Sequence, residues 1–87
     1  MSGDSLLTFP CDLPVKVLGR NAAAFRAATA RIVRGHCVER DQPRMAEQLS
    51  RHGRFVSLTF TIHAHSRSQL DALYEDLTAS EDVLMVL

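Results

Sequence analysis

RFVSLTFTIHAH, residues 54–65, separates by parity: Val56, Leu58, Phe60, Ile62 and Ala64 fall on the even positions, and Ser57, Thr59, Thr61, His63 and His65 on the odd ones after Phe55. Successive side chains of a strand point to opposite faces of a sheet, so alternation of this length specifies a half-buried β-strand. One face packs, and the other meets water or a partner.

Working outward, the preceding RMAEQLSR, residues 44–51, sets local propensity against context. Its residues are good helix formers, Pro43 suits a first helical position and Gly53 could close a helix. A hairpin partner for the long strand explains the same glycine through a His52-Gly53 turn, and on that ground 44–51 is assigned as a strand. Toward the amino end, Leu13, Val15 and Val17 alternate with Lys16, Leu18 and Arg20, which gives a first strand over 13–20 with Pro14 tolerated near its start. Asn21 is a suitable N-cap. Phe25, Ala28, Thr29, Ile32 and Val33 then recur at helical spacing opposite Arg26, Arg31 and Arg34, so 22–34 reads as an amphipathic helix that Gly35 can end in the left-handed conformation. Residues 37–43 read as a loop. Beyond the long strand, Ser66 and Gln69 fit a capping box ahead of the stripe Leu70, Leu73, Tyr74 and Leu77, a second helix ending near Thr78, and residues 82–87 supply a last short strand.

The order strand, helix, strand, strand, helix, strand implies an α+β ferredoxin-like sandwich: a four-stranded antiparallel sheet with both helices on one face. Its buried face receives Val15, Val17, Val56, Leu58, Phe60 and Ile62. Its open face receives Lys16, Leu18, Arg20, Ser57, Thr59, Thr61 and His63. Residues 1–12 read as an amino-terminal arm, with Leu6, Leu7 and Phe9 able to pack back, and 13–87 as a single domain.

At 87 residues, 46% hydrophobic and 23% charged, the chain has room for one modest core. Cys11 and Cys37 have no spacing typical of a disulfide framework or zinc site, so reduced thiols in the cytoplasm are expected. No stretch suits a secretion signal or a membrane span. Net charge is zero but unevenly placed: all ten basic residues lie between Lys16 and Arg67, while Asp71, Glu75, Asp76, Glu81 and Asp82 gather near the carboxyl end. Such polarity suits two solvated faces, an anionic partner or self-association.

The stretches Phe9-Pro10, residues 15–19 (VKVLG), the Gly53 hairpin, residues 73–77 (LYEDL) and the terminal Met85-Val86-Leu87 together resemble the YbeD-like family of small uncharacterised bacterial proteins over nearly the whole chain. The resemblance implies a ferredoxin-like fold similar to ACT regulatory domains and a link to lipoate metabolism. ACT-like domains associate with one another and hold amino acids at the turn between first strand and first helix. Here that turn carries Gly19, Arg20 and Asn21, where a glycine permits backbone approach and a helix start favours a carboxylate. The aspartate and Pro-Gly usual in ACT ligand loops are absent. Gly19 and Asn21 equally suit a turn and a helix cap.

Other chemistry is sparse. His63 and His65 share a strand face and could offer two metal ligands, but the sequence places no carboxylate to complete a set, and His52 lies on the hairpin turn. His36 beside Cys37 is not a nucleophile and base pair without a third orienting group. No phosphate loop, nucleophile elbow or dinucleotide fingerprint occurs, so no enzyme is expected, no metal or other cofactor is assigned, and no catalytic residue is named. Phe55 faintly echoes an RNA-recognition strand, yet Ser57 takes the next stacking position and Phe60 points inward; nucleic acid ranks behind other partners. The expectation is a non-enzymatic, self-associating regulatory module that binds a small carboxylate or a protein partner. An RNA-binding module is the alternative, and metal binding through His63 and His65 comes third.

Overall fold

In the computed structural model, which describes residues 7–87, the chain forms β1 (Cys11–Arg20), α1 (Ala23–Gly35), a 3-10 turn (Glu39–Asp41), β2 (Arg44–Leu49), β3 (Phe55–Ala64), α2 (Arg67–Ala79) and β4 (Val83–Val86). The strands lie in the order β2-β3-β1-β4, every neighbouring pair antiparallel. This is the expected ferredoxin-like sandwich, including the strand at 44–49: pairing with β3 along one edge of RMAEQL outweighs its helix propensity. No helix among the described residues is long and apolar enough to cross a membrane.

Parity in β3 does what the sequence implies. Val56, Leu58, Phe60, Ile62 and Ala64 are buried, and with Val15, Val17, Phe25, Val33, Leu73 and Leu77 they build the core between sheet and helices. Each fully buried side chain of this size stabilises the fold by roughly 1.5–3 kcal/mol relative to exposure. β2 is different: every residue of it is exposed, Met45 and Leu49 at 51% each, because the helix layer does not extend over this edge. Arg26 of α1 reaches it with one fork, donating from Nε and Nη2 to Glu47 at 2.8 and 3.0 Å.

Several boundaries and caps depart from expectation. β1 begins at Cys11, inside the segment read as an arm, because the ten-residue β3 still offers partners there: Cys11 faces Ala64 and Asp12 faces His63. Leu6 and the rest of residues 1–6 lie outside the described residues, whereas Leu7 and Phe9 are partly buried. Pro14 is accommodated within β1. Lys16 directs its N–H toward Leu87, so Pro14, two residues earlier, would direct its missing donor past the end of β4.

Asn21 does not cap α1. The N-cap is Ala22, without a side-chain bond, and the Asn21 amide instead donates to Gly53 O at 2.8 Å while its backbone N–H donates to Arg54 O at 2.9 Å. The asparagine therefore fastens the β1–α1 turn to the β2–β3 hairpin. Gly35 is the last helical residue rather than a left-handed stop; α1 closes through His36 N–H on Val33 O, and Gly53, at φ 72°, is the left-handed glycine of the hairpin. Ser66 caps α2 as expected, accepting from Gln69 N–H at 3.2 Å, but the Gln69 side chain reaches one residue further back than a capping box requires. Its Oε1 accepts from His65 N–H at 2.7 Å and its Nε2 donates to His36 O at 2.8 Å, joining the start of α2 to the end of α1.

Candidate functional site

Register brings the odd positions of β3 and the even positions of β1 onto the face that no helix covers. Lys16 lies opposite Thr59, Leu18 opposite Ser57, Arg20 opposite Phe55, Pro14 opposite Thr61 and Asp12 opposite His63; β2 adds Arg44, Ala46 and Gln48. On the other side Leu18 faces Met85, and Lys16 and Leu87 exchange backbone hydrogen bonds of 3.3 and 2.7 Å. Lys16, Leu18, Ser57, Thr59, Thr61 and His63 therefore share one continuous surface.

The two ends of that surface differ in chemistry. Near the hairpin, an open depression of about 270 Å³ lies among Lys16, Leu18, Gln48, Phe55, Ser57 and Leu87. Phe55, Met85 and Leu87 are 39%, 52% and 59% exposed, a concentration of large apolar side chains that the fold leaves without cover. Two cations flank it: Lys16, and Arg20, whose guanidinium carbon stands 5.7 Å from the Phe55 ring centroid in a cation–π contact. An apolar body carrying an acidic group matches that combination. Phe55 is the exposed aromatic ring expected on this strand, but Arg20 occupies its vicinity and Ser57 follows it, while Phe60 is buried in the core.

Of the three turn residues, only Arg20 is presented to this face. Gly19 is buried beneath Phe25: a Cβ added there would fall within 2.5 Å of the ring's Cγ, Cδ1 and Cε1. The glycine permits close packing of a core aromatic ring, and Asn21 is engaged by the hairpin. Neither role was visible in the sequence, since Phe25 and Gly53 act on the turn through the folded chain.

At the opposite end of the face the structure assembles what the sequence did not. His63 Nδ1 lies 2.7 Å from Asp12 Oδ1 and His65 Nε2 lies 3.1 Å from Asp41 Oδ2, with the two imidazoles edge to face at a centroid distance of 5.0 Å. Carboxylates that the sequence alone does not place stand beside the histidine pair. Asp12 arrives from β1 and Asp41 from the 3-10 turn, 51 and 24 residues away from their histidines, so no local pattern announced them. His52, on the hairpin, is at the other end of β3. His36 contacts Asp76 through Nε2 at 2.6 Å rather than serving Cys37, and partial burial, with Asp41 adding to it, pushes the Cys37 thiol above its ordinary range. A protonated thiol is a poor nucleophile.

Comparison with known proteins yields a consistent set. The family described as "Protein of unknown function (DUF493)" matches residues 4–87. A UPF0250 protein of Nitrosomonas europaea is 38% identical over 87 residues, covering all of both chains. One from Hahella chejuensis is 41% identical over 81 residues, covering 93% of this chain and 89% of its own. Among solved structures, the solution structure of protein HP0495 from H. pylori superposes with a TM-score of 0.71 over 100% of this chain and 94% of that one, at 13% identity. A likeness at that identity speaks to the fold alone.

Proposed function

We propose that this chain, which belongs to the DUF493 family and so to the YbeD-like group that its sequence resembles, is a non-enzymatic cytoplasmic interaction module that works through the open face of its sheet. The observation that carries this reading is the uncovered depression bounded by Leu18, Phe55 and Leu87 between the cations Lys16 and Arg20. A second copy of the chain is its main occupant. Zero net charge removes long-range repulsion between copies, and β2 and β4 end the sheet with backbone groups that invite pairing. A small carboxylate on an apolar chain, lipoate among them, suits the same cations and apolar floor and would make the association a regulated one, as in ACT-like domains.

Light scattering across a range of protein concentrations tests the association. The mass is expected to rise with concentration for the wild-type chain and to stay monomeric for Leu18→Lys with Phe55→Ser; a wild-type monomer throughout overturns the self-association. Ligand binding is read by thermal shift with lipoate, shorter carboxylates and amino acids, because a ligand selective for the native state raises its stability. A flat response to all of them removes the ligand half of the reading. Retention on RNA that falls steeply with salt would favour the nucleic-acid alternative instead.

A further inference from the structure

We infer that Asp41, His63 and His65 form a binding site for a divalent first-row transition metal, with Asp12 as the positioning residue for His63. One potential ligand atom from each of the three lies within 4.8 Å of the others. A tetrahedral ion held at about 2.0–2.1 Å by nitrogen and oxygen ligands keeps those ligands about 3.3 Å apart. His65 Nε2 and Asp41 Oδ2, at 3.1 Å, already stand at that separation, and the ligand atom of His63 lies within 4.8 Å of both.

Backbone and neighbours hold the set in place. His63 on β3 and His65 just beyond its end stand two residues apart, His65 N–H is fixed on Gln69 Oε1 at 2.7 Å, and the 3-10 turn that carries Asp41 is closed by Asp41 N–H on Val38 O at 3.0 Å. Asp12 supplies the feature that separates a metal site from two incidental ion pairs. By accepting from His63 Nδ1 at 2.7 Å it selects the tautomer whose Nε2 carries the lone pair, and a carboxylate behind a ligating imidazole is the usual way its ring is oriented and its basicity raised. Asp12 and Asp41 share a recess with Arg44, so the acidic groups outnumber the cation there.

Two imidazoles and a carboxylate suit zinc, cobalt or nickel rather than calcium or magnesium, which take oxygen ligands. Three protein ligands leave a fourth position for water or an external carboxylate. All three side chains are partly exposed, at 28% for Asp41, 39% for His63 and 41% for His65, so an ion has access from solvent.

The test is calorimetric titration of the chelator-treated full chain with zinc chloride, paired with cobalt(II) absorption as a report on the coordination shell. One ion per chain is expected, with affinity falling at least about tenfold in Asp41→Ala, His63→Ala and His65→Ala. Asp12→Asn should weaken zinc by about ten- to a hundredfold with an unchanged cobalt spectrum and an unchanged melting temperature of the metal-free protein, and Asp12→Glu should recover part of the loss. The inference is overturned if millimolar zinc gives no saturable binding. It is equally overturned if binding survives His63→Ala with His65→Ala, or is abolished instead by His36→Ala or Cys37→Ser at the other histidine–aspartate pair.

Discussion

Gly19→Ala separates a packing role for the β1–α1 turn from a ligand role. The added Cβ would lie within 2.5 Å of three ring atoms of Phe25, which is 2% exposed and held in the core. The backbone has little room to retreat, because Gly19 pairs with Val56 on one side and Val83 on the other. Overpacking a core costs roughly 1–3 kcal/mol. Evicting the ring altogether would approach the roughly 3–5 kcal/mol of a Phe→Ala truncation. A loss near the upper end of the first range is expected, about 2–3 kcal/mol, which for a domain of this size lowers the melting temperature by on the order of 10–20 °C. Urea unfolding followed by circular dichroism measures it, and a double-mutant cycle isolates the cause. In a Phe25→Ala background, stabilised with sulfate so that it stays folded, the same Gly19→Ala change should cost less than about 0.5 kcal/mol or even stabilise, since alanine also restricts the unfolded chain. An equal cost in both backgrounds would refute the packing account. So would a wild-type-like stability for Gly19→Ala, and if ligand binding were lost with stability intact, the glycine would belong to a ligand site.

Thr29 is fully buried in α1 and its Oγ1 has no hydrogen-bond partner among the described residues, so Thr29→Val should stabilise the protein by about 1 kcal/mol in urea unfolding; a loss of stability would mean that the hydroxyl is satisfied. Arg26 holds the Glu47 carboxyl below the usual carboxylate range by hydrogen bonding. A depressed folded-state value adds stability above the unfolded value and loses it as pH falls through the folded one, so the advantage of wild type over Glu47→Gln should shrink as pH drops below about 4.3. A difference that does not vary between pH 7 and the acid limb, on the order of pH 3, would contradict this. Ser66→Ala removes the cap of α2 and should cost about 1 kcal/mol, with faster amide exchange at Gln69; unaltered exchange there would argue against the bond. Cys37 should be alkylated at neutral pH more slowly than a free thiol, and at an ordinary rate once the chain is unfolded; equal rates would remove the effect of burial.

What was legible in the sequence was local. Alternation in residues 54–65 needs no knowledge of the rest of the chain, and its partition into buried and open residues carries through the structure without exception from Val56 to Ala64. The strand at 44–49 was harder because its own residues favour helix; only the neighbouring β3 decides it. Long-range contacts were out of reach: Gly19 is small because of Phe25, Asn21 is a clamp because of Gly53, and Asp12 and Asp41 meet the histidines only once β1 and the 3-10 turn are in place. The same parity nevertheless ties both candidate surfaces to the fold. Phe55 and Ser57 at one end and His63 at the other are the open half of one strand, so a slip of register by one residue would turn the histidines inward and expose Val56, Leu58 and Ile62. Burial of those apolar side chains therefore fixes the apolar depression and the imidazole–carboxylate cluster at opposite ends of one face. Neither can be displaced without unfolding the core that specifies it.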